Sequence, residues 1–172
     1  SGKLTNFFRP LQIASYLFDY TVWSQNVVGY HISNILIHVL AAIFVFKFVS
    51  LLFNNQKLAF LTAILFVVHP VHTEAVSYIS GRADSLSALF LLITLILYIN
   101  SASGRVSSLV WMCLSYLAAL LSKENSLILP ALLLLYHAAF SRPFQKKSFT
   151  LICLVLIAYL AFRAFRVPSN PV

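Results

Sequence analysis

Acidic residues are almost missing from this sequence. Only 4 Asp and Glu stand against 12 Lys and Arg in 172 residues, and charge of either sign makes up 9% of the chain. Soluble domains carry about 25% charged residues, so this composition cannot cover a water-facing surface. Strand-like alternation of apolar and polar residues is also lacking. Cysteine is scarce: Cys113 and Cys153 are the 2 present, both inside apolar runs without metal-ligand spacing. That excludes a disulfide framework and a zinc motif and leaves them as packing residues. No HExxH pattern occurs. No internal repeat supports a transporter architecture. No signal-peptide pattern opens the chain, which begins at Ser1 rather than Met; we read it as a processed or partial chain.

What is present in abundance is apolar surface. Hydrophobic residues reach 60%, with mean hydropathy +0.89, the composition of an integral membrane protein. Each crossing takes roughly 20 residues, so about six fit. The formal net charge of +8 in a soluble protein would point to nucleic acid. In a membrane protein basic residues gather in cytoplasmic loops instead, so membrane lipid is the expected partner and nucleic acid is not.

The expected fold is all-α: a polytopic membrane bundle of about six transmembrane helices preceded by an interfacial helix. Residues 1–29 form an extracytoplasmic, interfacial segment, 30–166 the bundle and 167–172 an extracytoplasmic tail. A helix from Pro10 to Trp23, with proline in its first turn, carries Tyr16, Phe18, Tyr20 and Trp23 at headgroup level. The spans run from Tyr30 to Phe53, Leu58 to Val68, Ser85 to Asn100, Val106 to Leu121, Ser126 to Phe140 and Phe149 to about Phe162. The second is short and meets His69-Pro70, where proline favours a break; it either kinks onward or stops at a cavity.

Loop charge then orients the bundle. "NNQK", "SASGR" and "RPFQKK" share one side and carry Lys57, Arg105, Arg142, Lys146 and Lys147 without an acid, so that side is cytoplasmic. Asp19, Glu74, Asp84 and Glu124 all fall on the other side, with Arg9, His31, His69, His72, Arg82 and Lys123. A mixed-charge face at the membrane edge is a site candidate.

The residues of that face carry both functional and ordinary readings. In "HPVHTEAV", His69, His72 and Glu74 suit a general base or a divalent metal ion, or they merely bond loop backbone at a helix end. In "GRAD", Asp84 favours the start of its helix through the dipole, and Arg82 offers a bidentate fork for a lipid phosphate. In "SKEN", Ser122 reads as an N-cap with Glu124 in the first turn, and Lys123 neutralises its neighbour. His31, Asn34 and His38 share one helix face, which should turn toward the bundle interior or a wet groove.

"FFRPLQIASYLFDYTVWSQNVVGYHISNILIHVLAA", "HPVHTEAVSYISGRADSLSALF" and "LSKENSLILPALLLLY", in this order and spacing, resemble the membrane domain of the transmembrane-and-TPR O-mannosyltransferases and their bacterial relatives. That family belongs to the GT-C glycosyltransferases. The resemblance implies a multi-span enzyme that moves a sugar, mannose in this family, from a polyprenyl-phosphate donor to a protein hydroxyl on the extracytoplasmic side of the bacterial inner membrane or endoplasmic reticulum. One carboxylate base, with cationic or metal help for the departing phosphate, suffices for that chemistry. Glu74 and Asp84 are the expected catalytic acids; Arg82, His69, His72, Lys123, Glu124 and His31 are the expected lipid-phosphate ligands. GT-C enzymes keep a key acid in the first extracytoplasmic loop, after an initial span. Neither feature precedes the matched residues, and Asp19 lies downstream of that place. The competing reading is a non-catalytic membrane subunit that packs against other subunits of a larger complex.

Overall fold

The computed structural model describes residues 8–73, 78–101 and 105–166, with the side chain of Arg166 left out. Helices and short turns account for the described residues, and no strand occurs among them. The all-α expectation holds. α1 spans Pro10–Trp23, α2 Val27–Phe53, α3 Gln56–Val68, α4 Arg82–Asn100, α5 Val106–Ser122, α6 Leu129–Phe140 and α7 Lys146–Arg166. Three short 3₁₀ segments, Pro70–His72, Ile79–Gly81 and Glu124–Ile128, link them at one end.

Local chemistry explains most boundaries. Pro10 opens α1, where its missing N–H costs nothing. Asn26 caps α2 by accepting from Val28 N–H at 3.0 Å, and Asn55 caps α3 by accepting from Leu58 N–H at 3.1 Å. Between α2 and α3, Asn54 takes the left-handed conformation that ends many helices, φ 50°. At His69-Pro70 the helix stops rather than kinking onward. His69 is extended, as a residue before proline must be, and its Nδ1 accepts from Val71 N–H at 3.2 Å. Gly29, near the start of α2, lies under Trp23: an added Cβ would sit 2.3 Å from Trp23 Cγ, so only glycine lets the α1–α2 corner close.

Three stretches, Val27–Phe53, Ile79–Asn100 and Lys146–Phe165, are long and apolar enough to cross a membrane. Gln56–Val68, Val106–Ser122 and Glu124–Phe140 are apolar but shorter. Large apolar side chains such as Phe18, Leu36, Leu61, Trp111 and Leu135 face outward, the inversion of a soluble surface. The chain is an integral membrane protein.

α4 is the central helix, packed against α2 on one side and α5 on the other; α2 in turn carries α3, and α5 carries α7. One core gathers Tyr98, Met112, Tyr116, Leu133 and Ile152 from four helices. A smaller one joins Val45, Val49 and Ala59. Hydroxyls stitch α4 to its neighbours: Ser87 to Ser126 and Thr94 to Ser115, each at 2.8 Å. Such bonds substitute for the hydrophobic drive that lipid does not provide between helices.

Two sequence expectations change here. Ser122 is not an N-cap; it is the last residue of α5, and its hydroxyl donates to Ala118 carbonyl at 2.8 Å. α1 is amphipathic with its polar side inward. Gln12 and Asp19 are buried while Ile13, Leu17, Phe18 and Tyr20 are exposed. Tyr16, expected at headgroup level, turns inward instead, and its hydroxyl donates to Ile79 carbonyl at 2.7 Å.

Candidate functional site

The acids of the described residues, Asp19, Asp84 and Glu124, do gather at one end of the bundle, and each has a basic partner. These partners come from distant elements, because helix ends meet where sequence neighbours diverge.

Arg82 is the most constrained. Its residue exposure is 1%, and it forms an ion pair with Asp19, itself 3% exposed. Arg82 Nε donates to Asn34 Oδ1 at 2.6 Å, one terminal nitrogen donates to Ser15 carbonyl at 3.3 Å and the other to Tyr30 carbonyl at 3.2 Å. The guanidinium also lies 4.8 Å from the Tyr16 ring centroid. Asp19 Oδ1 accepts from Ser33 at 2.8 Å, and Asn34 donates to Tyr78 carbonyl at 3.2 Å. This one side chain therefore locks α1, α2 and the Tyr78–Gly81 link onto the start of α4. The expected position of Arg82, at the membrane edge with its fork open to a phosphate, is corrected. Burying an arginine is tolerable only when its donors are met, and here the protein meets them.

Lys123 and Asp84 form a second pair, with side-chain exposures of 21% and 48%. The expectation that Lys123 neutralises Glu124 is thus overturned. Glu124 instead accepts from Arg9 Nε and a terminal nitrogen at 3.3 Å, and it meets Arg163 at 3.5 Å. It ties the α1 approach and the end of α7 to the Glu124–Ile128 turn.

Beside the Lys123–Asp84 pair opens a cleft of about 590 Å³. Its walls bring together His38 of α2, His72 of the turn after α3, Asp84, Ser85 and Ser87 of α4, and Lys123 and Asn125 after α5. Phe66, Leu91 and Ile128 supply apolar lining. His38 stacks on Phe66 with ring centroids 5.0 Å apart, and His72 packs against both, 5.4 Å from His38 and 4.3 Å from Phe66. Burial, and secondly the neighbouring His69, hold His72 below the usual imidazole range.

Of the residues proposed from sequence, the cleft unites Asp84, His72 and Lys123. His69 is exposed and acts as a cap, its ring 6.2 Å from that of His72. His31 is half-buried and lines a separate shallow depression with Tyr16 and Ile79. Glu124 and Arg82 are outside the cleft walls. Glu74 lies outside the described residues. The sequence reading left out Ser85, Ser87 and Asn125, and it placed His38 on an inward or groove-facing stripe without naming it a ligand. For His38 the signal was there, since it follows Asn34 by four positions and both are buried. Among the described residues no group of three or more metal-ligating side chains forms.

The arrangement holds one lysine, two imidazoles and one carboxylate around an opening large enough for a small anionic group. The carboxylate is already engaged by the lysine. No family model and no solved structure matches the chain. Curated proteins do. Protein O-mannosyl-transferase F38B6.6 of Caenorhabditis elegans is 31% identical over 152 residues, 87% of this chain and 21% of its own length. TMTC3 of Homo sapiens, also a protein O-mannosyl-transferase, is 34% identical over 104 residues, 60% of this chain and 11% of its own. TMTC1 of Mus musculus, of the same description, is 39% identical over 95 residues, 55% and 10%. Over the matched residues the chain belongs to the TMTC protein O-mannosyl-transferase family. It spans about a fifth or less of the length of these relatives. The longest of the three matches leaves out only about an eighth of the chain, at its ends, so it runs through every wall of the cleft from His38 to Ile128.

Proposed function

We propose that this chain forms part of the membrane domain of a protein O-mannosyl-transferase and that the cleft receives the phosphate of a polyprenyl-phosphate mannose donor. The observation that carries the reading is the convergence of Lys123, His72 and Asp84 on one cleft at the end of the bundle away from the exposed cations Lys57, Arg105, Arg142, Lys146 and Lys147. Relatives named for O-mannosyl transfer support the reaction class. Under the positive-inside rule the cationic end is cytoplasmic and the cleft extracytoplasmic. Six crossings then follow, with Gln56–Val68, Val106–Ser122 and Glu124–Phe140 joining the three longer spans. Residues 8–29 lie in the interface and the described residues of 30–166 form the bundle; the expected extracytoplasmic tail, 167–172, lies outside the described residues.

In this reading an acceptor hydroxyl oxygen attacks the anomeric carbon. The bond from that carbon to the donor phosphate oxygen breaks, its electron pair stays on the phosphate, and the hydroxyl proton must leave. The free protein keeps Asp84 paired with Lys123. An arriving phosphate competes for Lys123, which steadies the charge developing on the leaving oxygen. Asp84, released from its partner, is then a carboxylate able to take the proton. Arg82 has a different job: it holds α1 and the start of α4 in place, so that Asp84 keeps its position two residues on.

The test is mannose transfer from polyprenyl-phosphate mannose to an acceptor protein, in membranes carrying the wild type, Lys123→Met or Asp84→Asn. We expect Lys123→Met to raise the donor KM and Asp84→Asn to lower kcat, each by about 10²-fold or more. Unchanged transfer by both variants sinks the site; no transfer by the wild type favours a non-catalytic subunit.

A further inference from the structure

We propose that phosphate binding in the cleft is coupled to uptake of a proton by the His38–His72 pair, with His38 as an anion-contacting residue. The inference rests on the donor reading above and adds to it a residue and a pH dependence.

His38 sits within α2 at 6% exposure, in the cleft wall. Its Nε2 is buried and has no hydrogen-bond partner among the described residues. A buried polar atom left unmet is costly and calls for a reason. The ring also meets the backbone of Val67. Because α3 ends at Val68, the carbonyls of its last turn lack helical partners. Val67 carbonyl is such a group, and with Nε2 unmet we assign the proton of the neutral ring to Nδ1, facing that carbonyl. The neutral ring therefore presents a bare lone pair at Nε2. A phosphate oxygen is an acceptor, and two acceptors repel. An anion can meet His38 Nε2 only when that nitrogen also carries a proton, which makes the ring an imidazolium. The carboxy-terminal end of α3, beside it, favours that positive charge.

His72, from the turn packed on Phe66 and His38, lines the same cleft, and in the free protein its pKa is depressed. The charged or titratable groups facing the pair are His69 on its own turn, Tyr78 from the link before α4, Asp84 from α4 and Lys123 after α5; α3 presents only apolar side chains here. Glu74 follows in sequence, outside the described residues. Asp84 and Lys123 cancel each other, so the free cleft carries little net charge near neutral pH. An entering anion supplies the opposite charge that makes protonation favourable. Repulsion between two imidazolium rings 5.4 Å apart limits the uptake to about one proton shared by the pair.

The experiment uses the whole chain in lipid nanodiscs and polyprenyl-phosphate mannose as probe. This is a phosphodiester whose charge does not change near neutral pH. Titration calorimetry near neutral pH, in two buffers of different ionisation heat, reads protons taken up per ligand directly and needs no variant. We expect between half and one proton, and an affinity that weakens by up to tenfold per pH unit above neutral. In His38→Gln and His72→Gln we expect the uptake to fall by at least half, and in the double variant to vanish. Lipid binding with no proton uptake in the wild type overturns the coupling and leaves the donor reading intact, as does full uptake retained by the double variant. Dimethyl phosphate, a soluble diester, separates the ligand sources. Binding as tight as the lipid's, with the same uptake, assigns the site to free phosphate esters and upholds the coupling. No binding of either probe by the wild type overturns the donor reading and the coupling together.

Discussion

The two ends of the helix bundle solve the same problem with different chemistry. At the cleft end, helix termini are joined through charge: Arg82 with Asp19, Lys123 with Asp84, and Glu124 with Arg9 and Arg163. At the far end the junctions are neutral. Ser101 Oγ meets Tyr98 carbonyl and the Ser148 hydroxyl at 2.7 Å and Gln145 Oε1 at 2.8 Å, while His137 joins Tyr98 hydroxyl at 2.8 Å and faces Arg142 carbonyl at 3.1 Å. The far end's cations, among them Lys57, Arg142 and Lys146, stay exposed with no acid near them in sequence. Neutral junctions leave cations free for anionic headgroups. Charged junctions consume them, and what remains at the cleft end is a set of groups whose charge depends on partner and proton.

The comparison breaks most sharply at Arg82. Arg82→Met strands Asp19 in the interior, and the expected loss is about 3–5 kcal/mol, read as a lowered unfolding midpoint in detergent. The double variant Arg82→Met/Asp19→Leu should recover part of it, because the uncompensated charge is gone. A loss under 1 kcal/mol in the single variant would show that Asp19 finds water or another partner, and the junction would then be no more constrained than the neutral end.

Gly29→Ala comes next. The added methyl group collides with Trp23 ring and Cβ atoms, the nearest at 2.3 Å, and overpacking of this kind costs about 1–3 kcal/mol. In a Trp111→Phe background, where Trp23 is the remaining indole, its fluorescence should shift to longer wavelength as the α1–α2 corner opens. An unchanged spectrum and midpoint would mean that α1 is loosely held.

Tyr98→Phe probes the neutral end. It removes the hydroxyl that His137 meets, and interhelical hydrogen bonds in membranes are worth about 0.6 kcal/mol on average, with about 1.7 the largest measured. The variant should therefore unfold only slightly earlier than the wild type. A loss as large as that of Arg82→Met would erase the distinction between the ends.

What was legible in the sequence was whatever is local. Pro10 marked the start of α1, the Asn54-Asn55 turn separated α2 from α3, and His69-Pro70 marked the stop. Loop composition sorted Asp19, Asp84 and Glu124 to one end because helices reverse the chain in turn. The pairings themselves were not legible. Adjacent charges, Lys123 and Glu124, invited local pairing, yet each found a partner on another element. Helix packing decides which ends meet, and no short-range pattern encodes it. For the same reason the sequence showed that His31, Asn34 and His38 share a face but not that His38, beyond Asn34, would reach a cleft while Asn34 would go to Arg82.

The smallest expected effect concerns His72, and its sign separates the free cleft from the filled one. In the free protein the His72 pKa lies below the unfolded value, chiefly through burial. Between the two values the unfolded chain binds more protons, so stability is fully present above the unfolded pKa of about 6.5 and is lost as pH falls toward the folded one. The wild type should therefore melt earlier at pH 5.5 than at pH 7.5, and His72→Gln should show a smaller difference. With polyprenyl-phosphate mannose bound, an anion now rewards the proton that burial penalised. The stabilisation conferred by that ligand should then be greater at pH 6 than at pH 8. If free and bound proteins respond to pH in the same direction and to the same extent, the cleft's imidazoles do not sense the phosphate. The two ends of the bundle would then differ in how they hold helices together and not in what they bind.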